Sequence, residues 1–327
     1  MNTGNTIYEL TEEYRDDDKN IFFRRLKINV SVVKNGGGTV RIAMISDPRF
    51  NSCDIQDLSD TELQYTFSKR TELAFGESAE SVDNAMAFIK SLGNIDKTIV
   101  TGNLCDYLSH GAITLVKRHI LSSDLNVTAV PGRTDFTKKT GTHTFDATPL
   151  FERVNTLKAA LGNDMFYRSE IIGNAMIITM INATKVRPDK GADSDKEFSG
   201  HYLFSQKEAL IKDLDFARKN ELSVLIFESE PLFSTVCDIN SASVSDNTET
   251  KLNFNNLTRN RDSDTATDKA VYSIISNGAD VIKGVFCGAD KFCATKLNGD
   301  NGDILQIATE PVVKHTPFGS FLIIEIG

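Results

Sequence analysis

Short apolar runs alternate with amphipathic segments along most of this chain. Runs rich in β-branched residues predict strands over 40–46, 98–102, 126–131, 175–182, 223–227, 281–287, 304–309 and 320–326. Between them apolar residues recur at helical spacing, as at Val82, Ala85, Met86 and Ile89. Strands that alternate with helices predict an α/β domain. The apolar continuity of the strands predicts sheets that are covered on both faces.

Two helices carry boundary signals as well as a period. Ser205 and Glu208 match a capping box, in which each side chain bonds the backbone amide of the other, ahead of the apolar Leu210. A later helix is predicted to stop at Asn277-Gly278, because glycine in the left-handed conformation closes many helices.

The pattern divides the chain into an N-terminal extension with an edge hairpin, residues 1–38, and a single domain, residues 39–327. The hairpin turn is predicted at Asn35-Gly-Gly-Gly38, a sequence typical of tight turns between strands. Two polar, irregular insertions interrupt the domain near 50–79 and 232–263. Long insertions after strands often form the rim of a pocket.

Composition excludes several classes of protein. The 327 residues are 40% hydrophobic and carry a net charge of −9, so a core can form but phosphate backbones are repelled, and bulk nucleic-acid binding is not expected. No apolar run approaches the roughly 20 residues that span a bilayer, so no membrane span is expected. The N-terminus lacks the pattern of a signal peptide, which predicts a cytoplasmic protein. The five cysteines form no Cys-x-x-Cys pair and are expected to be reduced.

Five turns that carry acidic residues follow the predicted strands. They are Ser46-Asp-Pro-Arg49, Thr101-Gly-Asn-Leu-Cys-Asp106, Val130-Pro-Gly-Arg-Thr-Asp135, Phe227-Glu-Ser-Glu-Pro231 and Phe286-Cys-Gly-Ala-Asp-Lys291. In a sheet covered by helices, the carboxyl ends of the strands meet at one crevice. The five turns therefore predict a single site.

In this order the turns resemble the motifs of the calcineurin-like metallophosphoesterases, which read Asp-x-His, Gly-Asp-x-x-Asp, Gly-Asn-His-Asp/Glu, a lone His and Gly-His-x-His. The resemblance extends from about Val40 to the C-terminal strand. It implies a four-layer α/β/β/α sandwich of two mixed β-sheets flanked by helices. It also implies two metal ions that activate a bridging water for attack on phosphorus.

This sequence departs from the family at most metal-ligand positions. The positions that carry another residue are Arg49, Asn103, Arg133, Thr134, Ser229, Ala289 and Lys291. The acidic residues that remain in or beside the motifs are Asp47, Asp106, Asp135, Glu228 and Glu230.

The replacements predict a pseudoenzyme without a cofactor. Arg and protonated Lys have no lone pair for a metal and add positive charge where the two ions bind in the family. Two interpretations of Arg49, Arg133 and Lys291 stay open. They bind phosphate or a phosphorylated partner, because guanidinium groups fit phosphate oxygens, or they pair with Asp47, Asp135 and neighbouring glutamates in an inactive crevice.

The alternative is an active phosphoesterase, acting on phosphomonoesters or phosphodiesters, with an atypical metal site. One weakly bound divalent ion (Mn, Fe, Zn or Mg) is then held by Asp47 and Asn103, together with Asp106 and residues of the 232–263 insertion. A third interpretation is a protein-interaction module that assembles with an active homologue and contributes only surface.

Overall fold

The computed structural model describes residues 6–15, 21–30, 38–52, 54, 56–57, 78–136, 139–140, 144–145, 150–182, 202–232, 265–299, 301–315 and 319–327. Most of the two predicted insertions lies outside these ranges, and so does most of the predicted turn at Asn35 to Gly38.

The strands are β1 (Thr6–Arg15), β2 (Ile21–Val30), β3 (Val40–Ser46), β4 (Lys97–Gly102), β5 (Val127–Pro131), β6 (Lys139–Thr140), β7 (Thr144–Phe145), β8 (Tyr167–Ile172), β9 (Ala175–Met180), β10 (Ser223–Glu228), β11 (Ile282–Gly288), β12 (Cys293–Gly299), β13 (Gly302–Thr309) and β14 (Ser320–Ile326). The α-helices are α1 (Ser78–Ser91), α2 (His110–Val116), α3 (Leu150–Leu161), α4 (Phe204–Asn220) and α5 (Ala266–Ser276). A π-helical turn, Lys117–Leu121, continues α2, and 3-10 turns cover Arg133–Phe136 and Val312–His315.

Two six-stranded mixed sheets form the centre of the fold. The first has the strand order β1-β2-β14-β3-β4-β5 and the second β12-β13-β11-β10-β9-β8. Strands β3, β4 and β5 are parallel neighbours, as are β9, β10 and β11. Each set of parallel strands therefore brings its carboxyl ends to one edge of its sheet.

The sheets face each other, and helices cover their outer faces. The central core combines Ile42 and Val100 of the first sheet with Phe227 and Phe286 of the second, whose rings stack 5.1 Å apart. Helix α1 adds its apolar side to this core, and a second core lies where α4 and α5 pack against the second sheet, with Leu214 among its residues. The predicted four-layer α/β/β/α sandwich is confirmed.

Each predicted strand is present, but the sequence reading missed strands that lack an apolar run. In β8, half-buried and exposed residues alternate, because the strand lies at a sheet edge. An edge hairpin does exist, formed by β1 and β2. The hairpin turn predicted at Asn35 to Gly38 lies mostly outside the described residues, and the strands on either side of it, β2 and β3, are separated by β14.

The predicted helix boundaries also need correction. Helix α4 begins at Phe204 instead of following a Ser205 cap, and the Gln206 side chain accepts the Leu203 amide at 2.6 Å. Helix α5 ends at Ser276, and its C-cap Asn277 has φ −91°. Neither Asn277 nor Gly278 has the predicted left-handed conformation.

The cysteines differ from one another in redox state. Cys105 and Cys287 are buried free thiols, whereas Cys293 is disulfide-bonded, so the expectation of reduced cysteines is wrong for Cys293. Within the described ranges, no helix combines the length and the apolar character needed to cross a membrane.

Candidate functional site

Asp47 follows β3 in a turn whose backbone is strained. Asp47 has φ +46° and Arg49 has φ +50°, a left-handed conformation that is unusual for residues other than glycine. The Asp47 amide donates to Thr101 O and the Arg49 amide to Asn103 O, each at 2.9 Å. These bonds to the end of β4 hold both side chains at the crevice between the sheets.

The Asp47 carboxylate is buried between close backbone segments. A Cβ atom on Gly102 would lie 2.7 Å from Oδ2 of Asp47, and one on Gly288 only 2.3 Å away. Glycine at these two strand ends therefore leaves the space that the carboxylate occupies. Burial raises the pKa of Asp47, although Arg49 and the hydrogen bonds from Asn103 oppose that shift.

A chain of polar contacts joins the first three motifs. Asn103 Nδ2 donates to Asp47 Oδ1 at 2.7 Å, and Asn103 Oδ1 accepts the Thr134 amide at 2.9 Å. The Arg49 guanidinium lies 3.5 Å from Asp47 Oδ1 and 3.4 Å from Oδ1 of Asp290. Asp47, Asn103 and Thr134 are thus direct neighbours, and the Arg49 guanidinium lies between Asp47 and Asp290.

Asp135 joins the second and third motifs through hydrogen bonds. It forms no ion pair with Arg49, Arg133 or Lys291, all of which the structure describes. Its carboxylate is fully buried and accepts three backbone amides, from Cys105 at 2.6 Å, Gly132 at 2.7 Å and Leu104 at 3.0 Å. Burial raises the pKa of Asp135 to about 7, against the lowering effect of these amides. Asp135 therefore supports the shape of the site.

The second sheet contributes an interconnected set of polar groups after β9 and β10. Asn182 donates to Oε2 of Glu228 at 2.9 Å, and its Oδ1 accepts both the Ser229 hydroxyl and the Glu230 amide at 2.9 Å. The Tyr202 hydroxyl donates to the other oxygen of Glu228 at 2.7 Å. Glu228 is therefore buried with a hydrogen bond to each oxygen.

Arg133 links the two halves of the site. Its guanidinium lies 2.7 Å from the Glu230 carboxylate, and 47% of its side chain is exposed. Arg133 belongs to a loop of the first sheet and Glu230 to a loop of the second, so this ion pair spans the crevice.

The remaining predicted positions are more peripheral. Ala289 follows Gly288, the residue that packs against Asp47, and its amide donates to Thr309 O at 2.9 Å. Lys291 is exposed and forms no ion pair with any residue in the described ranges. Asp106 is buried and accepts a hydrogen bond from Asn51 at 3.2 Å.

The sequence reading missed two residues of this site. Asn182 organises the loop after β10, and a signal existed, because it is a polar residue directly after the buried run Ala175–Met180. Asp290 is the second carboxylate beside Arg49. It had a signal too, because it is the acidic residue of the fifth strand-end turn, Phe286 to Lys291.

The donor set at these positions does not fit a pair of metal ions. Asp47 already accepts from Asn103 and Arg49, and the Asn103 oxygen is bonded to Thr134. Arg49 and Arg133 bring positive charge and no lone pair. Among the residues that the structure describes, no group of three or more His, Cys, Asp or Glu side chains is arranged to hold a metal.

Comparisons with known proteins identify the fold. No protein-family model matches the sequence, and neither does any curated protein. The chain is similar to the crystal structure of a dimetal phosphatase from Danio rerio, with a TM-score of 0.53 and 14% identity over 87% of this chain and 91% of that chain. At this identity the likeness shows that the two proteins share a fold.

Two further structures are weakly similar. The sulfate thiohydrolase SoxB from Thermus thermophilus has a TM-score of 0.36 and 12% identity over 86% of this chain and 53% of that chain. The hypothetical protein PH1004 from Pyrococcus horikoshii OT3 has a TM-score of 0.29 and 15% identity over 59% of this chain and 70% of that chain. Likenesses at these scores carry no argument about function.

Proposed function

We propose that this chain is a non-hydrolytic protein on a dimetal-phosphatase fold, in which ion pairs replace the metal centre. The observation that carries the proposal is the pairing of Arg49 with Asp47 and of Arg133 with Glu230. Each guanidinium stands at a position where the family resemblance expects a metal ligand. Arg49 supplies the positive charge that Asp47 would otherwise obtain from a metal, and Arg133 pairs with Glu230, which lies beside a further ligand position, Ser229.

The chemistry of the site supports this proposal. Phosphoester hydrolysis at neutral pH needs an activated water, and a metal ion or a general base provides it. The described positions that resemble the family's ligands contain no histidine. Asp47 is buried and bonded to Asn103 and Arg49, which leaves it poorly placed to take a proton from water.

Hydrolysis of bis-p-nitrophenyl phosphate by the full chain in excess Mn²⁺ tests the proposal. We expect no turnover above the protein-free blank. Turnover that disappears in an Asp47→Ala variant would contradict the proposal and favour the alternative, an active phosphoesterase with an atypical metal site.

We further propose that the crevice binds an anion, and the exposure of Arg133 and Lys291 favours this second function. The Arg133 side chain is 47% exposed, and Lys291 is exposed as well. A phosphate group can compete with Glu230 for the Arg133 guanidinium, because an arginine fork bonds two phosphate oxygens at once. Such a site accepts a phosphorylated ligand without cleaving it.

Titration of inorganic phosphate by calorimetry tests the anion site. Arg133→Ala is expected to weaken binding about tenfold or more, because a charge-assisted hydrogen bond contributes roughly 1.5–3 kcal/mol. Arg218→Ala is the matched control, since Arg218 is 41% exposed and pairs with Asp280 on a different surface. Equal affinity of wild type and Arg133→Ala would refute the anion site and leave the ion pairs as a closed, inactive crevice.

A further inference from the structure

Edge strand β8 presents backbone groups that face away from its own sheet. Its partner is β9, and the Ile181 amide donates to Phe166 O at 3.1 Å, which makes Phe166 and Ile181 a hydrogen-bonded pair. In an antiparallel ladder such pairs alternate with pairs whose backbone groups point outward. The outward-facing residues are therefore Tyr167, Ser169 and Ile171.

Within the described part of the chain, few of these outward-facing backbone groups have a hydrogen-bond partner. The Tyr167 amide donates to Asp164 O at 3.1 Å. The amides of Ser169 and Ile171 and the carbonyl oxygens of all three residues have no partner among the described residues. An edge of this kind is a template for another strand.

The side chains of β8 divide by charge between its two faces. On the face toward the first sheet, Arg168 lies 3.3 Å from Thr128 and Glu170 lies 2.7 Å from Lys97. The Arg168 guanidinium also pairs with Asp164 through two bonds of 2.6 Å. On the opposite face Ile171 is 50% exposed, a high value for isoleucine. The strand thus carries one positive charge, one negative charge and one uncovered apolar side chain.

We propose that two copies of this chain pair through β8 in antiparallel fashion, with a two-fold axis at Ser169. Outward-facing residues must form the hydrogen-bonded pairs of the new ladder. This register places Ser169 opposite its own copy and Tyr167 opposite Ile171 of the second copy. It also places Arg168 of each copy opposite Glu170 of the other copy.

Self-complementary charge selects this register and this partner. An axis at Ile171 would place Glu170 opposite Ile172, so the opposite charges would no longer face each other. Charged residues on an edge strand usually discourage pairing, but opposite charges that face each other across a ladder stabilise it. A second copy therefore adds an opposite charge to the exposed part of each side chain, beside the Arg168–Asp164 and Glu170–Lys97 pairs within one chain.

The neighbouring helix extends the same surface. A groove of about 590 Å³ lies between β8 and α4, and its lining includes Ser169, Glu208 and Lys212. Phe216, which is 47% exposed, lies one turn beyond Lys212 on the same side of α4. The axis at Ser169 brings this side of α4 toward the same side of α4 in the second copy. Glu208, Lys212 and the exposed ring of Phe216 are then available for contact.

Sedimentation velocity of the full chain between about 1 and 100 μM tests the proposal, since weak interfaces dissociate in the micromolar range. The expected result is a concentration-dependent shift from the mass of one chain, 36.1 kDa, to twice that mass. Ile171→Lys is expected to weaken dimerisation about tenfold or more, because it replaces the apolar contact of Ile171 with Tyr167 of the second copy by a charged side chain, which opposes pairing at a sheet edge. Ile7→Lys is the matched control, because Ile7 is 51% exposed on β1 at the edge of the other sheet.

Ser169→Pro gives an independent readout, because it removes an outward-facing amide and blocks approach of a second strand. We expect this variant to sediment as a monomer with an unchanged far-ultraviolet circular dichroism spectrum. If the Ser169→Pro variant does not fold, the comparison of Ile171→Lys with its control Ile7→Lys still tests the proposal. A wild-type chain that stays monomeric throughout, or a dimer that Ile171→Lys does not weaken, would overturn the proposal.

Discussion

Replacing Asp135 by alanine should reveal how strongly one buried carboxylate holds the candidate site together. The substitution removes the acceptor of the Leu104, Cys105 and Gly132 amides, at 2.6–3.0 Å. An orphaned buried donor destabilises a fold by roughly 1–3 kcal/mol. Three such donors, partly rehydrated in the space left by the side chain, give an expected loss of about 4 kcal/mol at pH 5. That is a large fraction of the total stability of a typical domain.

The size of this loss should depend on pH, and the pKa of Asp135 determines whether the loss grows or shrinks as the pH rises. Burial raises that pKa to about 7 in the folded protein, from the ordinary value of 3.8. Between these values the unfolded chain releases the proton while the folded chain retains it, so stability falls as the pH rises from about 4 to about 7. The Asp135→Ala variant lacks this titration. The difference between wild type and variant should therefore shrink by about 3 kcal/mol from pH 5 to pH 8.

Urea unfolding followed by circular dichroism at pH 5 and pH 8 measures both quantities. Asp290→Ala is the matched control, because the Asp290 side chain is 92% exposed; it should change the free energy of unfolding by less than about 0.5 kcal/mol at either pH. A loss below about 1 kcal/mol for Asp135→Ala at pH 5 would refute the assigned role of the three amides. A difference that grows with pH would refute the direction of the pKa shift.

Three further substitutions test other parts of the site by the same unfolding assay. Asn182→Ala should destabilise the fold by about 2–3 kcal/mol, because it leaves Glu228 with one hydrogen bond fewer in a buried position. Gly288→Ala should destabilise it by about 1–3 kcal/mol, since the added Cβ would lie 2.3 Å from Asp47 Oδ2. Arg49→Ala should destabilise it more at pH 8 than at pH 4, because the buried Asp47 carboxylate then ionises without its cation. No effect of Asn182→Ala or Gly288→Ala, or the opposite pH trend for Arg49→Ala, would contradict these contacts.

The sequence predicted the layers of the fold because apolar periodicity is a local property. Strands buried on both faces, such as β10 and β14, are continuous apolar runs and can be recognised without knowledge of their neighbours. Strand β8 could not be recognised in this way, because its position at an edge leaves alternate residues half exposed. The separation of β2 from β3 could not be predicted either, since the insertion of β14 between them depends on residues almost 300 positions away.

The candidate site was predictable where its residues follow strands, and less so where they meet across the sheets. Asp47 and Asn103 end neighbouring parallel strands, so topology alone brings them together. The partner of Arg133 was not predictable, because the Glu230 loop belongs to the other sheet and the relative placement of two sheets is not encoded locally. Asp135 was a candidate partner for the cations but bonds backbone amides instead.

Metal content per chain is the measurement that tests the central claim most directly. The full chain is purified in excess manganese, desalted and analysed by elemental mass spectrometry for Mn, Fe, Zn and Mg. The ion-pair account predicts close to zero metal per chain, because Arg49 and Arg133 supply positive charge beside the carboxylates of the candidate site. One or two ions retained per chain, and lost in an Asp47→Ala variant, would contradict it.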